Sequence, residues 1–116
     1  MTFNAYILDW TMDEFARLKQ ELADDSFPFD EETGSGNIRV AVPFERVQEF
    51  AALCQKHLNA PFNYVDIQYP GEHQTVIIFR GKTFIITSHE ENERVKQWAI
   101  GLGLPPEQSD WGTSFR

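Results

Sequence analysis

Five carboxylates, Asp24, Asp25, Asp30, Glu31 and Glu32, fall within nine consecutive positions, and no basic residue stands among them. Oxygen ligands at this density suit hard divalent cations, since Ca²⁺ takes roughly six to eight oxygens and Mg²⁺ about six. They suit a basic protein surface equally well. The order of residues argues against a preformed cation loop. ADDSFPFDEETGSGN does not follow the EF-hand register D-x-[DN]-x-[DN]-G, and Phe27-Pro28-Phe29 separates the first two aspartates from the rest. The leading expectation is a partner-binding surface built from Asp24, Asp25, Phe27, Phe29, Asp30, Glu31 and Glu32, joined by Trp111 and Phe115 of the C-terminal tail. The alternative is a Ca-type divalent-cation site on the same carboxylates.

A second cluster depends on strand register. With Arg80-Gly81 as a two-residue hairpin turn, Phe79 faces Lys82 and His73 faces Ser88. With Pro70-Gly71 as the preceding turn, His73 faces Gln68 and Thr75 faces Asp66. Asp66, Gln68, His73 and Ser88 then form one polar end of a sheet face, with His89 just beyond. Imidazole with carboxylate is a transition-metal ligand set, so His73 and His89 are a second metal alternative. Asp66 with His73 could also orient a general base, which makes a small enzyme a third reading. No nucleophile or oxyanion donor accompanies that pair. Cys54 lies on an apolar helical stripe and reads as a packed thiol. ETGSGN is neither a Walker loop nor a dinucleotide fingerprint, and its anionic flanks repel phosphate. The expectation is a non-catalytic domain without a resident cofactor.

Composition narrows the classes further. The 116 residues carry a net charge of −8, and five of those charges lie between Ala23 and Gly36. Without a Lys/Arg stripe, such a surface disfavours nucleic acid. Ten Phe, three Tyr and three Trp exclude a disordered chain. No apolar run approaches the roughly 20 residues that cross a bilayer, and MTFNAYILDW lacks a basic n-region. The single cysteine suits a reducing compartment, so a cytoplasmic location is expected.

The elements that must position these groups are legible as periodicity. Phe3 to Asp9 reads as a strand, with Phe3, Ala5 and Ile7 on one face, Tyr6, Leu8 and Trp10 on the other, and both faces covered. Thr11 and Glu14 form the pattern of a capping box before a helix carrying Phe15, Leu18 and Leu22. The acidic stretch reads as a connection of about 13 residues, pinned by its phenylalanines. Asn37 to Val42 is a second strand, and Pro43 opens a helix whose stripe is Phe44, Val47, Phe50, Ala51, Cys54 and Leu58. Phe62 to Tyr69, His73 to Phe79 and Lys82 to Thr87 form a meander. Ser88 with Glu91 caps a last helix that turns Val95, Trp98, Ala99 and Leu102 inward.

The predicted fold is a single α+β domain over residues 1–104, in the order β-α-β-α-β-β-β-α, with a docking tail at 105–116. Its sheet has about five strands, mixed or antiparallel, with the C-terminal meander packed by three helices. Phe62, Tyr64, Phe79 and Phe84 share one sheet face, which offers a homodimer surface if nothing else covers it.

Overall fold

The computed structural model describes residues 2–116. Strands β1 (Ala5–Ile7), β2 (Phe29–Glu31), β3 (Ile38–Val40), β4 (Tyr64–Tyr69), β5 (Gln74–Phe79) and β6 (Thr83–Ile86) form one antiparallel sheet in the order β2-β3-β1-β4-β5-β6. Helices α1 (Phe15–Asp24), α2 (Val47–His57) and α3 (His89–Gly101) pack on it. The class is α+β, as the periodicity predicts, and the sheet gains a sixth strand inside the acidic stretch. Among the described residues no helix is long and apolar enough to cross a membrane.

Alternation along the strands sends side chains into two separate cores. On one face Ala5, Ile7, Ile38, Val40, Val65, Ile67, Val76 and Ile78 meet Leu18 and Leu22 of α1 and Phe50 and Cys54 of α2. On the other, Ile77, Phe79 and Ile86 meet Val95 and Ala99 of α3, together with Leu104 and Trp111. Full burial of each large side chain here is worth roughly 1.5–3 kcal/mol. The aromatic face is therefore covered within one chain. Trp98 stands edge-on to both Phe79 and Phe84 at 4.9 Å, and Trp111 stands edge-on to Tyr64 at 5.3 Å.

The second layer is incomplete. It covers the β4–β6 half of the sheet and leaves the β2-β3-β1 half bare, so Tyr6 is 39% exposed and Trp10 59% exposed. Strand β1 is covered on one face and not, as expected, on both. Ala5 and Ile7 are buried, while Tyr6 and Trp10 look outward.

Three local features depart from the sequence reading. Phe29, Asp30 and Glu31 pair with Val40, Arg39 and Ile38, so the acidic connection contains an edge strand. The Thr11 hydroxyl donates to the Leu8 carbonyl at 2.6 Å instead of capping α1, whose first residue follows Glu14 at φ +50°. Pro70–Glu72 is a single 3-10 turn followed by His73 in the left-handed region, which makes a longer reversal than the two-residue turn expected. Gln68 consequently faces Thr75, and Asp66 faces Ile77. The Arg80-Gly81 hairpin has the predicted register, with Thr75 opposite Ile86 and Ile77 opposite Phe84.

The last helix ends in a Schellman motif that directs the tail. Gly103 takes φ +113°, its amide donates to Ile100, and the Leu104 amide reaches the Ala99 carbonyl at 3.1 Å. Leu104 is thereby buried against the sheet. Leu102, expected to face inward, is 39% exposed, and Asn92 occupies a buried position on α3 instead.

Candidate functional site

The carboxylates of the acidic stretch do not converge. Asp30 pairs with Arg39 across the β2–β3 ladder, Glu31 with Lys19 at 2.6 Å, and Glu32 accepts from the Tyr6 hydroxyl. Asp24 accepts from Gln20 at the end of α1. Arg46 binds the Asp25 and Ser26 carbonyls and lies 4.0 Å from the Phe27 ring centroid. Among the described residues no three His, Cys, Asp or Glu side chains are grouped to hold a metal ion.

Of the apolar members of the expected partner surface, Phe27 is 1% exposed and Trp111 3%, so both are core. Phe29 and Phe115 are half-buried.

The polar end of the meander is also rearranged. Gln68 donates to Asp66 at 3.1 Å and to the Gly112 carbonyl, and accepts from Thr75 at 2.7 Å. Thr75 in turn meets the Thr113 hydroxyl at 2.9 Å. Asp66 and Gln68 are thus brought together, but His73 is not their partner. It is exposed in the turn, and among the described residues no hydrogen bond joins it to Asp66. Ser88 is used as the N-cap of α3, accepting from the Glu91 amide at 3.2 Å, and does not face His73. His89 is exposed in the first turn of that helix.

A different site emerges where the bare half of the sheet meets the tail. Tyr6, Leu8 and Trp10 from the N-terminal strand and turn, Tyr64 and Asp66 from β4, and Leu104, Glu107, Gln108 and Asp110 from the tail line one cleft of about 230 Å³. Thr11 and Asn63 complete it. Hydrogen bonds anchor its two tyrosines and the main chain at Trp10. The Tyr6 hydroxyl donates to Glu32 and accepts from Asn37 at 3.1 Å. The Trp10 carbonyl accepts from the Asn59 side chain at 2.9 Å, and Asn63 in turn donates to Asn59 at 2.6 Å. The Tyr64 hydroxyl donates to the Gln108 carbonyl at 2.9 Å, which ties the tail to β4.

The cleft is electrostatically one-sided. It contains Asp66, Glu107 and Asp110, and among the described residues no Lys, Arg or His lines it. Burial pushes the Asp66 carboxyl above its ordinary range, which the Gln68 hydrogen bond only partly offsets. Tyr64 is pushed up to about 12 by burial and then by the negative charges of Asp66 and Asp110. Glu21 and Glu49 move the opposite way, each held below the usual carboxylate range chiefly by a hydrogen bond, from His57 and Arg46 respectively. Among the described residues Asp66, Glu107 and Asp110 take part in no ion pair, whereas Asp30, Glu31, Glu49, Glu21 and Glu93 each have a cation.

Sequence reasoning placed Asp66 in a polar cluster but missed Tyr6, Trp10, Glu107 and Asp110. The available signal was Trp10 followed closely by a polar turn, and two carboxylates just ahead of Trp111. Neither has a spacing that identifies chemistry. No protein-family model matches the chain, and no match is found among curated proteins or solved structures.

Proposed function

We propose that this is a non-catalytic interaction domain that engages a basic protein partner through the bare half of its sheet and the adjoining cleft. One observation carries the reading. Asp66 is a half-buried carboxylate whose charge is disfavoured by burial, it has no ion-pair partner among the described residues, and Glu107 and Asp110 line the same cleft. A fold retains such a group more readily when an external cation completes it, because an uncompensated buried charge is costly. The surrounding rings add to the case, since exposed aromatics beside carboxylates attract cations by both charge and quadrupole. The net charge of −8 favours encounter with a basic surface in the same direction. The single cysteine, buried and with its thiol pushed up by burial, fits a cytoplasmic setting for this interaction.

The test is a titration with capped hexalysine at low ionic strength, followed by amide and indole NMR shifts. Saturable shifts are expected at Tyr6, the Trp10 indole and the residues flanking Asp66, with loss in an Asp66→Asn, Glu107→Gln, Asp110→Asn triple variant that keeps a dispersed spectrum. Shifts confined to Asp24, Asp25 and Glu31, or no shifts at all, would overturn the assignment of the cleft.

A further inference from the structure

Resting on that interaction reading, we infer that the cleft accepts a single arginine side chain from the partner, with the guanidinium against Asp66 and the stem along Leu8 and Leu104. Size is the first argument. At about 230 Å³ the space falls below the roughly 300–1,000 Å³ of sites that enclose whole small molecules, so it suits one side chain.

The lining is the second argument. Asp66 has one oxygen engaged by Gln68 at 3.1 Å, which leaves the carboxylate further acceptor capacity. A cation reaching it must give up much of its water in a half-buried position. Guanidinium is more weakly hydrated than ammonium, presents donors in a flat fork, and stacks on aromatic faces. Tyr6, Trp10 and Tyr64 line the cleft and give it aromatic surface. Two leucines provide an apolar track for the methylene stem of a long basic side chain.

Rigidity is the third. The Tyr6 hydroxyl is held by Glu32 and Asn37, and the main chain of Trp10 by Asn59, so the Tyr6 ring and the backbone that carries Trp10 stand in place without a ligand. A preformed site loses less entropy on binding than one that must assemble.

The experiment uses the full chain and three capped pentapeptides, Gly-Gly-Xaa-Gly-Gly with Xaa arginine, lysine or citrulline, read on the backbone amide resonances of Tyr6 and Tyr64, which every variant keeps. The arginine peptide is expected to saturate at least fivefold more tightly than the lysine peptide, and citrulline not to saturate. Trp10→Ala and Asp66→Asn, each checked for a native spectrum, are expected to weaken the arginine peptide tenfold or more. Equal binding of lysine and arginine would overturn the guanidinium assignment and leave the basic-partner reading standing. So would hexalysine binding with no response to the arginine peptide. Citrulline binding as tightly as arginine would overturn both, because charge would then play no part.

Discussion

The indole Nε1–H of Trp111 donates to Oδ1 of Asn92 across 2.8 Å, and both side chains are buried. This bond fixes the tail to α3, and the residues just before it form one wall of the cleft. The Asn92 Nδ2 has no partner among the described residues, so the asparagine is held at this depth by the indole alone. Tail docking, the second core and the cleft are therefore one structural event.

Removing the ring should undo all three. Trp111→Ala is expected to lower stability by about 3–5 kcal/mol through the cavity left behind. That is a large part of the roughly 5–15 kcal/mol of a typical domain. Trp111→Phe keeps most of the apolar volume but strands Asn92, and should cost about 1–3 kcal/mol. Adding Asn92→Leu to the phenylalanine variant should recover much of that loss. Urea unfolding midpoints measure each step, and a phenylalanine variant as stable as the parent would contradict the role given to the hydrogen bond.

Two glycines near the end of α3 should respond oppositely to alanine. Gly103 holds φ +113°, where a side chain is strained although Phe62 is no closer than ordinary contact at 3.5 Å. Gly103→Ala should cost about 1–3 kcal/mol and misdirect Leu104. Gly101 is helical with open space where a Cβ would stand. Gly101→Ala should gain roughly 0.5–1 kcal/mol. Thermal melts of the two variants separate local backbone strain from a general tolerance of the helix end.

The same contrast explains how much the sequence discloses. Arg80-Gly81 is a local reversal, and its register reads directly from two residues. Pro70–Glu72 looks like a two-residue turn but is longer, because His73 adopts a left-handed conformation that extends it. The pairing moves from Gln68 opposite His73 to Gln68 opposite Thr75, a shift that preserves which side chains share a face. The sheet faces are thus legible while the neighbours in the polar corner are not. Strand β2 escapes notice because Asp30 and Glu31 are stabilised by Arg39 and Lys19, which are distant in sequence. The Thr11–Glu14 pattern is a valid local signal that tertiary structure overrides when the hydroxyl turns to Leu8. The cleft is the least legible feature, since the exposure of Tyr6 and Trp10 depends on how much of the sheet the second layer covers.

His57 supplies a pH prediction. It is buried, with Nδ1 3.1 Å from the Asp13 carbonyl and Nε2 2.5 Å from Glu21, so it joins α2 to the α1 side of the core. The hydrogen bond from His57, followed by that from Lys56, holds the Glu21 carboxyl below its ordinary value of 4.5. A carboxylate depressed in the folded state contributes stability that is fully present above its unfolded value. That contribution should disappear as pH falls below about 4.5 and through the folded value. Glu21→Gln should lower stability near neutrality and flatten the acid limb of a plot of urea midpoint against pH. An acid limb unchanged in the variant would show that other carboxylates carry the transition.

Asp66 should behave in the opposite sense, and this separates a binding group from a structural one. Its carboxyl is raised above the ordinary value by burial, so ionisation is easier in the unfolded chain and the charge opposes folding at neutral pH. The penalty should vanish as pH falls through the raised folded value. Asp66→Asn retains an oxygen to accept from Gln68 while removing the charge, and is expected to raise the urea midpoint at pH 7 with little change at pH 3. Under the proposed function the same substitution weakens the arginine peptide. A residue placed only for stability cannot show that pairing of a firmer fold with poorer recognition, because its replacement would weaken the fold first. Trp10→Ala provides the matching control. At 59% exposure the ring contributes little to folding, so stability should stay within about 0.5 kcal/mol while peptide binding falls. Loss of stability in Trp10→Ala, or a lower neutral midpoint in Asp66→Asn, would assign these two side chains to the architecture instead of to a partner.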